Sequence, residues 1–363
     1  MTAAQTSAEK PLLTFALAAL NQERFIREAV EAAFAQSYSP LEIILSDDCS
    51  EDRTFELMCE MAKAYRGPHR IILNRNPVRR SIGGHINRIM EVSQGELILA
   101  AAGDDVSLPQ RAQATYEAWE SSGRKATSIH SKIFQIDEDG NSINEVFKTE
   151  CAEGARLVEQ KVPPMEYVRT LEPLIFGCAH AFSRKLYNVF GNLPDEVIHE
   201  DNALGFRSVL AGQLLFINEP LVKYRIHGNN VYIRTQKRRT DLKSLERQED
   251  RVRRAYRYRE IMYRTFQLDL KTARERALVG NTEFEAMTRE AARLQEQVSL
   301  MGKFLESGFI TKCKILSTLW REGLNRQERY NLLKRLPPRS LLLRFRLARA
   351  YAVAAFSRSG QEV

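Results

Sequence analysis

Residues 11–103 alternate between short apolar segments of strand length and longer segments whose apolar residues recur at helical spacing. The apolar segments predict strands at 12–20, 41–46, 70–73 and 97–103. The intervening segments predict amphipathic helices at about 22–37, 50–65 and 82–94. Strands and helices that alternate in this way pack as a parallel sheet covered by helices. We therefore predict an α/β fold with a mostly parallel sheet.

Residues 176–230 continue this pattern with less regular spacing. A strand followed by a helix is predicted over 176–191, with Ser183 as the helix N-cap. A second helix is predicted over 198–212, ending at Gly212, and a final strand is predicted just before Arg225. In the front part of the chain, Ser50 is the predicted N-cap of the helix that follows the second strand, since serine accepts hydrogen bonds from a first helical turn.

Two pairs of neighbouring carboxylates follow predicted strands. Asp47 and Asp48 follow the second strand, and Asp104 and Asp105 follow the fourth. Either pair alone is explained by turn chemistry, because aspartate is common in turns. The carboxyl ends of parallel strands, however, meet at the sheet edge where ligands of α/β proteins bind. The shared register of the two pairs therefore favours a ligand site.

The glycine-rich sequences that bind phosphates are missing from the front part. There is no GxxxxGK[ST] sequence, and no GxGxxG sequence follows the first strand. A bound diphosphate would then need positive charge from another source. A divalent cation held by carboxylates supplies that charge and keeps coordination positions open for phosphate oxygens.

Charge divides the chain near residue 230. Residues 1–230 contain 24 Lys and Arg against 31 Asp and Glu, a net charge of −7, whereas residues 231–363 contain 30 against 15, a net charge of +15. We predict a flexible N-terminus at 1–10, an α/β domain at 11–230 and a basic helical region at 231–363. Five cysteines without a CxxC pair, no apolar leader and no run of 18 apolar residues predict a cytoplasmic protein with reduced thiols and without a membrane span.

Five segments in this order resemble the family 2 glycosyltransferases, inverting enzymes of the GT-A (Rossmann-like) fold that use nucleotide-diphosphate sugars. The segments are the strand that ends in Asn21, SDDCSEDRT, GELILAAAGDDVSLP, HEDNALGFR and YRIHGNN. The resemblance covers about residues 11–230. It implies transfer of a sugar to a glycan or lipid-linked acceptor, in bacterial-type surface polysaccharide or glycoconjugate synthesis.

The resemblance also implies donor and metal contacts. Asp48 would accept a hydrogen bond from the nucleobase, and Asp104 would bind the metal, Mn²⁺ or Mg²⁺, with Asp105 beside it as ligand or support. Ala102 stands where a full D-x-D motif has its first aspartate, and Leu20 stands where the family often has an aromatic that stacks on the base. The metal site is therefore expected to have fewer carboxylates than the family pattern.

The HED segment implies the catalytic base. Inverting transfer needs one carboxylate to take the proton of the acceptor hydroxyl. Asp201 is the first candidate for this role and Glu200 the second. A position in the first turn of a helix also explains both acidic residues without any catalytic role.

Two further sets of residues are donor-site candidates. Arg225 and His227 would project together if the last strand continued past them, because alternate residues of a strand share a face. The resemblance places His227 near the metal or the diphosphate, and Arg225 is a candidate for cofactor binding beside it. Arg80, with Arg79, either faces phosphates or solvates a loop.

The basic region interleaves arginine with tyrosine over 237–264 and mixes leucine, phenylalanine and arginine over 337–360. Such helices pack on an enzyme domain, build a homo-oligomer or contact an anionic membrane surface at its cytoplasmic face. Nucleic-acid binding is a competing function for basic, tyrosine-containing helices, but the acidic front part disfavours a phosphate backbone as partner. A sugar nucleotidyltransferase shares the α/β class, yet residues 11–21 contain no glycine-rich loop.

Overall fold

A computed structural model gives the structure of the protein. It describes residues 10–144, 155–171, 175–228, 230, 242–307, 309–321, 323 and 332–333. Most of the predicted flexible N-terminus and the predicted helical segment at 337–360 lie outside the described residues.

A mixed β-sheet forms the centre of the first part of the chain. Within the described residues the strands are β1 (Leu13–Ala19), β2 (Leu41–Asp47), β3 (Arg70–Arg75), β4 (Leu97–Ala102), β5 (Val106–Ser107), β6 (Ala126–Ile136), β7 (Ser142–Asn144), β8 (Leu157–Glu159), β9 (His180–Ser183) and β10 (Gln213–Arg225). Their order is β3-β2-β1-β4-β9-β6-β10-β5, with β7 beside β6 and β8 beside β10.

The four strands predicted first in the chain are parallel neighbours. β1 lies between β2 and β4, and β3 pairs with β2, all in parallel register. Every residue of β2 is buried, which explains why its central residues Ile43, Ile44 and Leu45 are all apolar rather than alternating with polar ones. The antiparallel β9 then joins β4 to β6. The predicted mostly parallel α/β sheet flanked by helices is confirmed.

Ten helices are described. They are α1 (Ile26–Phe34), α2 (Thr54–Ala64), α3 (Ile82–Val92), α4 (Arg111–Ser121), α5 (Pro164–Thr170), α6 (Arg184–Phe190), α7 (Glu200–Ala211), α8 (Leu242–Glu275), α9 (Asn281–Glu306) and α10 (Phe309–Arg321). The Ser183 side chain accepts a hydrogen bond from Lys185 N at the start of α6, as predicted.

The predicted N-cap role of Ser50 is wrong. With Ser50 as N-cap the helix would begin at residue 51, but α2 begins three residues later, at Thr54. The Ser50 hydroxyl accepts instead from the main-chain nitrogen of Asn21, at 2.8 Å, in the loop after β1. A contact across 29 residues of sequence therefore takes the serine away from its local helix, which a local capping pattern does not reveal.

The chain forms two compact units. The first contains Met1–Thr235 together with Leu268–Met287, and the second contains Gln236–Gln267 and Thr288–Val363. The end of α8 and the start of α9 thus belong to the same unit as the sheet. In the second unit, Met301, Phe304 and Leu319 are core residues of a separate apolar cluster. None of the described helices combines the length and the apolar character needed to cross a membrane.

Within the first unit, a buried ion pair joins the end of α8 to α7. Arg207 of α7 donates from Nε to Asp269 Oδ1 of α8 at 3.0 Å, and the two side chains are 2% and 3% exposed. The guanidinium also donates to the main-chain oxygens of Gly191 and Asn192. Burial raises the pKa of Asp269 to about 6, although Arg207 opposes this shift. Asp269 therefore depends on Arg207 as its counter-ion in the interior.

Replacing Asp269 with Asn is expected to lower the free energy of unfolding by about 3–5 kcal/mol, because Arg207 would keep a buried charge without its counter-ion. Urea denaturation at pH 7.5 measures this change. Asp250→Asn makes the same substitution at an exposed position of the same helix, and there we expect a change within about 0.5 kcal/mol. Equal effects of the two substitutions would contradict the structural importance of the pair.

Candidate functional site

A pocket of about 640 Å³ opens at the carboxyl ends of β1, β2 and β4. This is the sheet edge at which the two acidic pairs were predicted to meet. Each pair contributes one member to the pocket lining, Asp48 from the first and Asp104 from the second, and Glu200 and His227 also line it. Four predicted site residues that are far apart in sequence therefore surround one cavity.

The loops after β1 and β2 hold each other in place. Asn21 accepts from the main-chain nitrogen of Glu51 at 2.8 Å, while its own main-chain nitrogen donates to Ser50. Asn21 and Cys49 both have left-handed backbone conformations, with φ of 51° and 64°, which few residues other than glycine adopt. Much of the SDDCSEDRT segment thus fixes the shape of the pocket wall rather than contacting a ligand.

The two carboxylates after β2 have different environments. Asp47 is fully buried, accepts from Ser50 N at 2.9 Å and lies 3.4 Å from the Arg75 guanidinium. Asp48 lines the pocket, and its Oδ1 accepts from Asn76 Nδ2 at 2.7 Å and from Arg80 N at 2.9 Å. In the described part of the chain Asp48 Oδ2 has no hydrogen-bond partner, although the residue is only 4% exposed. Asp48 is therefore the member of the pair that can accept from a ligand.

The two carboxylates of the second acidic pair also have different environments. Asp104 Oδ2 lies 2.9 Å from His227 Nε2, and both side chains line the pocket. The His227 ring packs against Phe25, with 5.0 Å between ring centroids, which fixes its orientation. Asp104 and His227 thus form an ordered carboxylate–imidazole pair at the pocket wall.

Asp105 is turned away from this pair. Its Oδ1 accepts from the main-chain nitrogen of Arg225 at 2.8 Å, and the Cys178 thiol donates to the same carboxyl group. Burial, and then the charge of Asp104, raise the pKa of Asp105 well above its usual value. Of the two predicted roles of Asp105, ligand or support, this environment favours support for the strand ends.

Arg225 does not project into the pocket with His227, contrary to the prediction. Strand β10 ends at Arg225, so the alternation of a strand does not extend to His227. The Arg225 side chain is fully buried and donates to the main-chain oxygens of Asp104, Asp137 and Glu138. It also forms an ion pair with Glu28. A guanidinium bound in this way holds neighbouring loops together and is poorly placed to bind a diphosphate.

Asp104 and His227 are suited to hold part of a divalent cation's coordination shell. In the described residues no group of three or more metal-ligating side chains is present, so the protein itself offers this one carboxylate and this one imidazole. Carboxylates suit Mg²⁺ and Mn²⁺, and imidazole is a common metal ligand in proteins. The remaining positions would be left to phosphate oxygens and water.

The carboxylates of Glu200 and Asp201 lie at the start of α7, close to Gly177. A Cβ added at Gly177 would lie 2.8 Å from Glu200 Oε1, so a larger residue there would displace this carboxylate from its present position. Asp201 accepts from the main-chain nitrogens of Asn202 and Gly177 and does not line the pocket. Glu200 does line it, and burial followed by the Asp201 charge raise the pKa of Glu200 to about 8. The geometry therefore favours the second sequence candidate over the first.

Positive charge reaches the pocket through Arg79 and Arg80. Both line the cavity, and both side chains are exposed. Neither has a described ion pair, and the main chain of Arg80 is held by its bond to Asp48. Of the two predicted interpretations, this position supports a phosphate contact.

Sequence reasoning missed several residues of the pocket wall. Phe25 appeared as one apolar position of a helix, and His85 lies within a helical pattern, IGGHINRIM, that carries no motif. Cys178 and Ile198 also line the pocket. The signal that could have found them is their position one element away from an acidic pair, which has meaning only once the sheet order is known.

Comparison with known proteins shows what this chain resembles. Residues 14–190 match the family model Glycosyl transferase family 2. The chain is 32% identical over 101 residues to EpsE of Bacillus subtilis, which is named as a glycosyltransferase, covering 28% of this chain and 36% of EpsE. It is 23% identical over 241 residues to an uncharacterized glycosyltransferase of Rickettsia prowazekii, covering 66% of this chain and 70% of that protein.

Among solved structures, residues 1–349 of S. aureus TarS in complex with UDP superpose with a TM-score of 0.53. The sequence identity is 15%, and the match covers 96% of this chain and 92% of that one. This likeness shows the fold. The chain thus has a GT-A-like fold, and residues 14–190, just under half of it, are similar to the family 2 glycosyltransferase model.

Proposed function

We propose that the protein is an inverting glycosyltransferase that moves a sugar from a nucleotide-diphosphate sugar to a glycan or lipid-linked acceptor. One observation carries this proposal. The pocket collects the carboxylate of Asp48, the carboxylate–imidazole pair of Asp104 and His227, and the partly buried carboxyl group of Glu200. These are the groups needed to hold a nucleotide, a diphosphate with its cation, and a hydroxyl nucleophile.

The donor would lie along this row of groups. Asp48 Oδ2 would accept from the base, as an ionised carboxylate can only accept hydrogen bonds. Arg79 and Arg80 would neutralise phosphate oxygens from the exposed side. Asp104 and His227 would hold Mn²⁺ or Mg²⁺, which stabilises the departing diphosphate when bound. The sugar would then lie between the diphosphate and α7.

Glu200 would act as the general base. Inversion in a single displacement needs one carboxylate, which takes the acceptor proton as the acceptor oxygen attacks the anomeric carbon. That carboxylate must reach the pocket, and Glu200 lines it whereas Asp201 is bound to main-chain nitrogens. A pKa near the working pH is also favourable for a base, and that of Glu200 is about 8. We therefore propose Glu200 as base and Asp201 as its positioning neighbour.

The alternative functions receive less support. A nucleic-acid-binding protein would not need three carboxyl groups and a histidine in one pocket. A sugar nucleotidyltransferase shares the α/β class but not the family 2 match. Synthesis of a surface polysaccharide or glycoconjugate, action at the cytoplasmic face of a membrane and homo-oligomerisation through the helical region remain proposals.

The direct test incubates the full chain with a panel of nucleotide sugars and Mn²⁺, and measures release of nucleoside diphosphate. We expect release from one donor, stimulated by Mn²⁺ and abolished by a chelator. Retained release after chelation would contradict the assignment of the metal pair. Absence of both release and nucleotide binding across the panel would contradict the proposed function.

Asp48→Asn gives a second, independent check. The substitution keeps the shape of the side chain but removes its charge, and hydrogen bonds to charged groups contribute about 1.5–3 kcal/mol. We therefore expect nucleoside diphosphate binding to weaken by roughly 10-fold or more in calorimetry. Asp139→Asn is the matched control, since its side chain is 77% exposed and outside the pocket lining. A similar affinity in both variants would remove Asp48 from the donor site.

A further inference from the structure

Helix α3 begins with the segment IGGHIN, whose two glycines and asparagine have no role in the site described so far. Gly83, Gly84 and Asn87 are all buried. Both glycines are neighbours of Asn87 on the helix surface, because residues three and four positions apart share a face. Glycine is also an unfavourable residue within a helix. A close approach by another part of the chain to this face would explain two glycines in one turn.

The segment that approaches is the loop of residues 193–199, which leads from α6 into α7. A Cβ added at Gly83 would lie 2.8 Å from Pro194 O and 3.1 Å from Val197 Cβ. A Cβ added at Gly84 would lie 3.1 Å from Asp195 Oδ1. The two glycines therefore allow the 193–199 loop to pack directly against the main chain of α3.

Hydrogen bonds attach this loop to α3 at two points. Asn87 Nδ2 donates to Leu193 O at 2.8 Å, and Asn87 Oδ1 accepts from Leu193 N at 2.9 Å. Further along the loop, Gly83 N donates to Val197 O at 2.8 Å. Leu193 is 2% exposed and Val197 is fully buried, so water has little access to these bonds. The main chain of the loop is thus held at both residue 193 and residue 197.

The bond from Gly83 uses an N–H group that has no acceptor within its own helix. The first N–H groups of any helix lack such acceptors, and α3 begins at Ile82. The Ser81 side chain accepts from Gly84 N, and Val197 O accepts from Gly83 N. The 193–199 loop therefore completes the N-terminus of α3, and displacing the loop would remove the partner of a buried N–H group.

The neighbouring face of the same helix belongs to the pocket wall. Its lining residues are Ser81, Ile82, His85 and Ile86. Val197, which is held by Gly83, lies three residues before Glu200, and Glu200 lines the same pocket. One helix thus forms part of the cavity with one face and holds the segment that leads to the proposed base with the next.

We propose that Gly83 and Asn87 are positioning residues, which hold the 193–199 loop against α3 and thereby fix Glu200 relative to a donor bound in the pocket. This inference rests on the proposed function. In a single displacement the base, the acceptor oxygen and the anomeric carbon must be aligned, and a misplacement of about 1 Å costs on the order of 10²-fold in rate. Neither residue lines the pocket, so a change at either should reduce transfer and leave nucleotide affinity in place.

Gly83→Ala and Gly84→Ala form a matched pair of tests. Both make the same change in the same helical turn, and alanine favours the helix in each case. The new Cβ meets the main-chain oxygen of Pro194 at position 83, but the movable carboxylate of Asp195 at position 84. We expect single-turnover transfer to fall by about 10–100-fold in Gly83→Ala and to change little in Gly84→Ala. Calorimetry with the nucleoside diphosphate of the active donor should give wild-type affinity for both. Equal transfer rates in the two variants would overturn the inference.

Asn87→Asp tests the other attachment point. The substitution keeps the size of the side chain and an acceptor for Leu193 N, but it removes the donor to Leu193 O. We expect transfer to fall by about 10-fold or more with little change in nucleotide affinity. Asn218→Asp is the matched control, because Asn218 Nδ2 likewise donates to a main-chain oxygen, that of Ala155, outside the pocket lining. An equal loss of transfer and of nucleotide affinity in Asn87→Asp would indicate a general structural role and contradict the inference.

Hydrogen exchange of the wild-type protein tests the attachment of the loop without any variant. An N–H group in a first helical turn exchanges rapidly when it has no acceptor, whereas that of Gly83 should be protected by its buried bond to Val197 O. Protection should decrease in Asn87→Asp, because the loop is then held at one point only. Rapid exchange at Gly83 in the wild-type protein would overturn the inference. A protected Gly83 in a protein that transfers no sugar from any nucleotide donor would instead contradict the proposed function, and the positioning role with it.

Discussion

Replacing Glu200 with Gln is expected to reduce sugar transfer by about 10²-fold or more, the usual size of a general-base contribution, while nucleotide binding changes little. Asp201→Asn should have the smaller effect, because Asp201 is bound to main-chain nitrogens and does not line the pocket. Transfer assays under single-turnover conditions measure both. The opposite order would return the role of base to Asp201, the first candidate from sequence, and full activity of both variants would contradict the mechanism.

The pH dependence distinguishes a base from a structural residue at position 200. A base must be deprotonated, and the pKa of Glu200 is about 8. In the free enzyme kcat/KM should therefore rise with pH up to about 8 and then level off. A bound cation would lower the pKa of Glu200 and so move the rise in kcat/KM to lower pH. This rise in kcat/KM with pH should be missing in Glu200→Gln.

The raised pKa of Glu200 also predicts how Glu200→Gln changes the stability of the folded protein. A carboxyl group whose pKa is raised by folding destabilises the folded state as pH rises above the pKa of the unfolded chain. Glu200→Gln should therefore be at least as stable as wild type at pH 7. A large loss of stability at that pH would mean that the carboxyl group is structural rather than catalytic.

Asp104→Asn is expected to weaken Mn²⁺-dependent binding of nucleoside diphosphate by at least about 10-fold. Residues that only hydrogen-bond to a metal ligand already contribute about 10–100-fold to metal affinity, and we expect a ligand itself to contribute no less. Asp105→Asn is the matched comparison, with the same substitution one residue further along the chain. Its effect should be much smaller, because Asp105 is buried, has a raised pKa and is bonded to Arg225 N. Calorimetry with and without Mn²⁺ measures both variants. Equal losses would make Asp105 a ligand, and no loss in Asp104→Asn would remove the proposed metal site.

The sequence allowed the sheet and the position of the site to be predicted, because both follow from local patterns. Strands that are apolar throughout must be buried on both faces, and their carboxyl ends meet at one edge of a parallel sheet. The acidic pairs after β2 and β4 therefore had to lie close together. Asp48 and Asp104 line one pocket, as this argument predicts, whereas His227, which also lines it, was a candidate only through the family resemblance.

Which member of each pair faces the ligand could not be predicted in this way. Two adjacent carboxylates look alike in sequence, and their environments are set by distant residues. Asp105 is directed inward by the main chain of Arg225, 120 residues away. Glu200 reaches the pocket beside Gly177, while Asp201 is bound to main-chain nitrogens. The hydrophobic periodicity of the sequence carries no information about these contacts.

Sequence by itself thus determined the α/β class, the edge of the sheet that carries the site and the residue types present there, since hydrophobic periodicity and strand direction act over a few residues. Only the tertiary structure decided that Arg225 holds loops rather than a diphosphate, that Ser50 contacts Asn21 rather than its own helix, and that His85 lines the pocket. The physical reason is the same in each case. A buried polar group must find a partner, and in a folded chain that partner is set by proximity in space rather than in sequence.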